Sequence, residues 1–138
     1  MDASDRKVQS DPLNRDPVVL CVDDEPGVLH ALRRSLRNEP CNVITAGSPD
    51  EALGWLEEVP VALVITDQRM PGMSGTELLD EIRKRFPGTA RALLTGYRTP
   101  SAVREGLEAG ADTFFFKPWD ERYLVDSVRR ILGLGNAP

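Results

Sequence analysis

The sequence predicts an α/β domain whose five-stranded parallel sheet is covered by helices on both faces. Three observations lead there. From Val18 onward, short apolar runs alternate with longer segments of helical spacing, five times in succession. The runs are apolar on both faces, as strands enclosed by helices must be. The chain has 138 residues, 41% hydrophobic and 28% charged, which suits one ordinary domain with a substantial core.

The elements follow in order. Residues 1–16 are rich in Asp, Ser, Asn and Pro without an apolar period, and read as a flexible N-terminal tail. Val18 to Val22 is the first strand, and Leu29, Leu32 and Leu36 mark the buried face of the helix after it. Asn42 to Ala46, the least apolar run, reads as an edge strand. Ser48, Pro49 and Glu51 then supply an N-cap, a first-turn proline and a capping-box glutamate. Val61 to Thr66 is the third strand; Ser74 and Glu77 repeat the box, and Leu78, Leu79 and Ile82 face inward. Arg91 to Thr95 is followed by a helix beginning at Thr99 and Pro100. Gly106 in its middle costs roughly 1 kcal/mol against alanine, so this helix is expected to be among the least rigid elements. Thr113 to Phe116 is the fifth strand, and Leu124, Val128, Ile131 and Leu132 line the last helix. Gly88 and Gly110 fall where helices should stop. The domain is expected to occupy 17–133, with 134–138 a C-terminal tail or the start of a linker. Right-handed crossovers leave few topologies for five βα units, and the flavodoxin-like strand order 2-1-3-4-5 fits best.

Charge and composition exclude several classes. With 17 Lys+Arg against 22 Asp+Glu the net charge is −5, which gives no sequence-independent grip on a polyanion, so direct nucleic-acid binding is not expected. No apolar run approaches the ~20 residues of a spanning helix, and the polar N-terminus does not resemble a signal sequence. A cytoplasmic protein without a membrane partner is the expectation. Cys21 sits late in one strand whereas Cys41 opens the next, an offset of roughly 13 Å in a parallel sheet, too far for a disulfide.

In doubly wound sheets the working site lies beyond the carboxyl ends of the strands. There the first strand is followed by Asp23, Asp24 and Glu25, the third by Asp67, the fourth ends in Thr95 and the fifth is followed by Lys117. Singly, each has a plain structural role: an aspartate caps a helix or starts a turn, a threonine closes a strand. Together, three aspartates, a hydroxyl and an ammonium converge on one edge. Carboxylates brought this close raise one another's pKa or require a cation, and oxygen-only ligands favour Mg²⁺ or Mn²⁺. Such a metal keeps positions open for phosphoryl oxygens. Asp67, on the central strand with Gly72 and Gly75 keeping the following loop low, is the best-placed nucleophile for attack on phosphorus.

These residues resemble the receiver domains of two-component response regulators. The resemblance spans Val18 to about Leu132 and rests on VLCVDDEP, VITDQRMPGMSG, ALLTGY and FFFKPW, in the family's order. It implies that Asp67 accepts a phosphoryl group from a sensor histidine kinase or a histidine phosphotransfer protein. It further implies that Asp24, Asp67 and, partly through water, Asp23 hold Mg²⁺ together with the backbone carbonyl of Arg69. Thr95 would contact the phosphoryl group, Lys117 would pair with it, and Phe114 matches the switch aromatic. The implied product is a signalling switch, not a turnover enzyme, with only self-phosphorylation from a donor and slow self-dephosphorylation. Its fourth helix, fifth strand and fifth helix would change on phosphorylation and could also pair two copies of the chain. A cis Lys117–Pro118 bond is implied as well.

Phe114 lacks the hydroxyl of the tyrosine common at its position, so packing alone would hold an inward state. Arg69 and Tyr97 resemble the family's tuning positions for phosphoryl lifetime. His30, beside the apolar stripe, is expected to face solvent; Arg33, Arg34 and Arg37 read as a solvated face or a kinase-docking patch; Trp119 and Tyr123 read as packing at a helix start. Two rival functions remain. One is a phosphorylation-independent binding module with the same fold. The other is an aspartyl phosphohydrolase of the haloacid dehalogenase type, which needs an acid two residues after its nucleophile, where this chain has Arg69.

Overall fold

A computed structural model describes residues 15–135; most of the expected 1–16 tail and residues 136–138 lie outside the described residues. The strands are β1 (Val18–Val22), β2 (Asn42–Ala46), β3 (Leu63–Asp67), β4 (Ala90–Thr95) and β5 (Thr113–Phe116). The helices are α1 (Pro26–Leu36), α2 (Pro49–Glu58), α3 (Gly75–Arg85), α4 (Pro100–Glu108) and α5 (Glu121–Leu132). All strands pair in parallel in the order β2-β1-β3-β4-β5, as expected, with the least apolar run at one edge. None of the described helices is long and apolar enough to cross a membrane.

The period-2 alternation of the strands divides the core in two. Val19, Cys21, Leu63, Ile65, Leu94 and Phe115 pack against Leu32 and Leu36 of α1 and Leu124 and Val128 of α5. On the other face Leu20, Val22, Ile44 and Val64 meet Ala52 and Leu56 of α2 and Leu78 and Ile82 of α3. A smaller cluster of Leu79, Leu93 and Ala111, with Phe114 against it, lies toward α4. The only buried residue of α4 is Gly106.

The helix starts form as the sequence predicts. Ser48 accepts the N–H of Glu51, Ser74 and Glu77 make both bonds of a capping box, and Thr99 accepts the N–H of Ala102. Gly110 (φ 103°) and Gly133 (φ 73°) take the left-handed conformation just past α4 and α5. β4 starts one residue earlier than expected, at Ala90, and three further details differ. β3 begins at Leu63 instead of Val61: the Val61 carbonyl accepts the Thr89 hydroxyl at 2.8 Å instead of a strand N–H, while Ala62 already bonds both neighbouring strands, donating to the Val18 carbonyl and accepting the Ala90 N–H, each at 2.9 Å. Gly88 is not the stop of α3, which ends three residues earlier at Arg85 with Phe86 as C-cap. Arg33 is not part of a solvated face: its guanidinium crosses to β2 and donates to the Val43 carbonyl and the Thr45 hydroxyl, leaving Arg34 and Arg37 exposed. Cys21 and Cys41 are both free thiols.

Candidate functional site

The strand order brings the carboxyl ends of β1, β3, β4 and β5 side by side. Asp67 closes β3 in register with Leu94, Thr95 is the next residue of β4, and Thr95 in turn pairs with Phe116. Asp23 and Lys117 each follow their strand by one residue. The Lys117 N–H donates to the Thr95 carbonyl at 2.9 Å, so the ends of β4 and β5 stay joined past the ladder.

Lys117 Nζ stands 2.8 Å from Asp67 Oδ1 and 3.2 Å from Asp23 Oδ2. Asp23 is fully buried, Asp67 is 8% and Thr95 3% exposed, whereas Asp24 faces solvent. One carboxylate oxygen from each of Asp23, Asp24 and Asp67 lies within 4.8 Å of the others. Burial pushes the Asp23 carboxyl above the usual carboxylate range; the Glu25 N–H, donating to Oδ1 at 2.9 Å, opposes this, and the charge of Asp67 adds to it. For Lys117, burial works against the charged form, but the hydrogen bonds to Asp67 and Asp23 outweigh it and hold the ammonium above its ordinary pKa. Three carboxylates against one ammonium leave a surplus of two negative charges, an environment that fits a divalent cation with oxygen ligands.

The loop after Asp67 is shaped by small residues. Gly72 takes φ 84°, and Gly75 starts α3 so close to β3 that a Cβ there would sit 2.2 Å from the Asp67 carbonyl oxygen. The Gln68 side chain closes the loop by accepting the Thr76 N–H at 2.8 Å, and the Gly75 N–H donates to the Gln68 carbonyl at 2.9 Å. Arg69, exposed, lays its guanidinium 4.4 Å from the centroid of the Tyr97 ring. Beside them is a cavity of about 170 Å³ lined by Gln68, Leu93, Thr95, Ala102 and Glu105. A larger cavity of about 430 Å³, beside Pro17, Asn42 and Pro60, opens at the opposite end of the strands, away from the carboxylates.

Phe114 does not occupy the 170 Å³ cavity. Its ring packs under α4 against Gly106 and stacks on Phe116, centroids 6.1 Å apart and planes 8° from parallel. The Arg98 guanidinium lies 4.6 Å from the Phe116 centroid. Arg98, Phe116 and the role of Gly106 escaped the sequence reading, although alternation along β5 does place Phe114 and Phe116 on one face. Lys117–Pro118 is cis. Trp119 is half-buried and its Nε1–H donates to the Ser35 hydroxyl at 3.3 Å; Tyr123 packs edge-on to Phe115; His30 is exposed.

Comparison with known proteins agrees with this geometry. Residues 19–129 match the response regulator receiver domain family. The hydrogenase transcriptional regulatory protein HoxA of Cupriavidus necator is 41% identical over 118 residues, 85% of this chain but 24% of that protein. The transcriptional regulatory protein AruR of Pseudomonas aeruginosa is 36% identical over 84% of this chain and 49% of its own length. The chain thus spans between a quarter and half of these relatives. Among solved structures, the signal receiver domain of an HD domain-containing protein from Pseudomonas fluorescens Pf-5 superposes with a TM-score of 0.82 at 30% identity, covering 90% of this chain and 92% of that one. A CheY-like receiver domain from Methanospirillum hungatei JF-1 gives 0.80 at 31% identity, covering 86% and 95%. With the fold, the strand-end carboxylates and the family match over most of its length in agreement, the chain belongs to the response regulator receiver domain family.

Proposed function

We propose that the chain is a phosphorylation switch whose acceptor is Asp67, loaded by a sensor histidine kinase or a histidine phosphotransfer protein. The observation that carries this reading is the placement of Asp67: at the end of a central strand, 2.8 Å from Lys117 and grouped with Asp23 and Asp24. In the transfer, an Asp67 carboxylate oxygen forms a bond to phosphorus while the P–N bond of the donor phosphoimidazole breaks. The electron pair leaves with the imidazole, which takes up a proton.

Asp23, Asp24 and Asp67, with the backbone carbonyl of Arg69, would hold Mg²⁺ or Mn²⁺, which when bound supplies positive charge toward the phosphoryl oxygens. The surplus of negative charge and the raised Asp23 pKa are the signs that these residues suit such an ion. Lys117 pairs with one phosphoryl oxygen and keeps the buried end of the site neutralised. The Thr95 hydroxyl accepts the Tyr97 N–H at 3.1 Å and so retains its own O–H to donate to another. An acyl phosphate carries about one more negative charge than the carboxylate it replaces, together with new acceptor oxygens, so Thr95 and Lys117 are drawn toward it. Phe114 then shifts toward the cavity beside Thr95, and the surface formed by α4, β5 and α5 changes. Pairing of two copies of the chain through that face belongs to the same proposal. A switch loaded by such a kinase works in the cytoplasm, and direct nucleic-acid contact is no part of it. The acid-dependent phosphohydrolase alternative gains nothing from the geometry, since Arg69 lies against Tyr97 where that chemistry needs an acid.

The test is intact mass after incubation with phosphoramidate and Mg²⁺, beside Asp67→Ala and a chelator control. One phosphoryl group, absent from both controls, is expected. No addition to the folded wild-type chain would replace this reading with a phosphorylation-independent binding module.

A further inference from the structure

One unbroken ladder of contacts runs from the loop after Thr95 to the middle of α4. Arg98 covers the Phe116 ring at 4.6 Å, Phe116 stacks on Phe114 at 6.1 Å, and Phe114 closes against Gly106, where a Cβ would lie 2.6 Å from two ring carbons. The ladder begins three residues past Thr95. The rest of the loop is loosely held. Residues 96–100 are all exposed, and the described ties of that stretch are the Tyr97 N–H to Thr95, the Arg69–Tyr97 stack and the Thr99 cap. Among the described residues Arg98 makes no ion pair, so its side chain is committed to the ring.

We propose that Arg98 is a positioning residue of the switch: by gripping Phe116 it holds the β4–α4 loop in its resting place, and Thr95 engages a phosphoryl group on Asp67 only as that grip opens. This rests on the reading of Asp67 as acceptor. The loop after Thr95 is drawn toward the acceptor with the Thr95 hydroxyl, whereas the Phe116 backbone stays in register with β4 in the sheet, so the Arg98 head and the ring part as the loop moves. A contact made only in the resting state lowers the population of the competent state, and removing it raises apparent affinity for any phosphoryl mimic by the same factor. Loss of a positive charge near an anion works in the opposite direction, so tighter binding cannot be a charge effect.

The test uses the full chain, with Mg²⁺ and beryllofluoride as the phosphoryl mimic, read by calorimetry, and phosphoramidate for the rate of uptake. Arg98→Ala is expected to bind beryllofluoride about two- to fivefold more tightly, the factor matching an exposed cation–π contact. Mg²⁺ affinity and the rate of phosphoryl loss stay unchanged. Arg98→Lys, which keeps a cation over the ring, should fall between wild type and Arg98→Ala. Phe116→Leu should give a similar gain, with the double variant adding nothing further. Equal or weaker binding by Arg98→Ala, in a variant that unfolds in urea cooperatively with an unchanged m, overturns the proposal. An equal gain from Arg104→Ala, on the exposed side of α4, overturns it as well. If wild type takes up neither beryllofluoride nor a phosphoryl group, the acceptor reading itself fails and this inference falls with it.

Discussion

Replacing glycine by alanine at three positions should give three different outcomes, because one methyl group meets three different surroundings. At Gly54, in the exposed middle of α2, a Cβ meets nothing within 4 Å, so only helix propensity acts and the variant gains about 1 kcal/mol. At Gly75 the methyl would lie 2.2 Å from the Asp67 carbonyl oxygen, 2.8 Å from the Gln68 Cα and 3.0 Å from the Asp67 carbonyl carbon. All three are backbone atoms that cannot rotate away. Relief requires the first turn of α3 to move outward from β3, which strains the 2.9 Å bond from the Gly75 N–H to the Gln68 carbonyl and the capping box beside it. Overpacking costs about 1–3 kcal/mol, and with backbone on both sides the upper end applies, about 3 kcal/mol. At an unfolding entropy of about 2.1 cal/mol/K per residue, that lowers Tm by about 10 °C.

Gly106 lies between these cases. Its methyl would meet Phe114 at 2.6 Å and Leu93 at 3.2 Å, both side chains, so the ring yields and the net change is about 1 kcal/mol of destabilisation. Urea titration at constant m ranks the three, and calorimetry with Mg²⁺ reports whether Asp67 has moved. Gly75→Ala should lose both stability and metal affinity, Gly54→Ala neither. A Gly75→Ala protein as stable as wild type would refute the close approach of α3 to β3.

Other variants probe the charges and thiols. Lys117→Met leaves the fully buried Asp23 without its ammonium; with Lys117 itself partly solvated, a loss of about 2 kcal/mol in chelator is expected, and Mg²⁺ should restore more stability to this variant than to wild type in the same urea titrations. Burial pushes the Cys41 thiol to about 11 and Cys21 to about 12, so at pH 8 native Cys41 should react with a disulfide reagent about 100-fold more slowly than after unfolding, and Cys21 not at all. These raised values help the fold below the ordinary thiol pKa, and that contribution fades as pH climbs from there toward 11–12, so stability should fall across that window; rapid native thiol reaction at pH 8 would contradict the burial. Arg69→Asn with Tyr97→Ala removes the stack beside Thr95 and should speed phosphoryl loss by opening the site to water, measured as decay of the phosphoprotein; an unchanged rate rules out that role for the pair.

Local patterns in the sequence were enough for the fold because each signal concerns neighbours along the chain. Ser74 and Glu77 are three residues apart and their reciprocal bonds depend on little else, so the start of α3 is written locally. The carboxylate cluster was legible for a related reason: once strand order is known, the residues that end or directly follow β1, β3, β4 and β5 meet at the site. What escaped was distance along the chain joined to shape in space. Gly106 read as a propensity defect, yet its missing side chain is the space that Phe114, from another element, fills. Arg33 read as surface because helical periodicity does not reveal that β2 offers the Val43 carbonyl and the Thr45 hydroxyl to it. The Arg98–Phe116 contact joins a loop to a strand 18 residues on (116 − 98), and no spacing rule connects them.

The distribution of the core explains which part of the molecule a charge event at Asp67 can move. α1 and α5 share one large cluster and α2 and α3 another, so shifting any of them disturbs many packed side chains. α4 rests on a small cluster and buries only its glycine. Its two ends are not held alike. At the C-terminal end the Arg83 guanidinium donates to the Glu108 carbonyl at 3.4 Å and Arg91 Nε to the Gly110 carbonyl at 2.7 Å, tying the helix to α3 and β4. At the N-terminal end the exposed loop 96–100 is held by the two cation–π contacts, the bond to the Thr95 hydroxyl and the Thr99 cap, which binds the helix's own first turn and no other element. Under the proposed switch, the C-terminal end would be the pivot and the end beside Thr95 the one to give way. Low local stability lies where a phosphoryl group on Asp67 would pull, and because α4 is exposed along its outer side, a movement of its first turns reaches the surface without disturbing either large cluster.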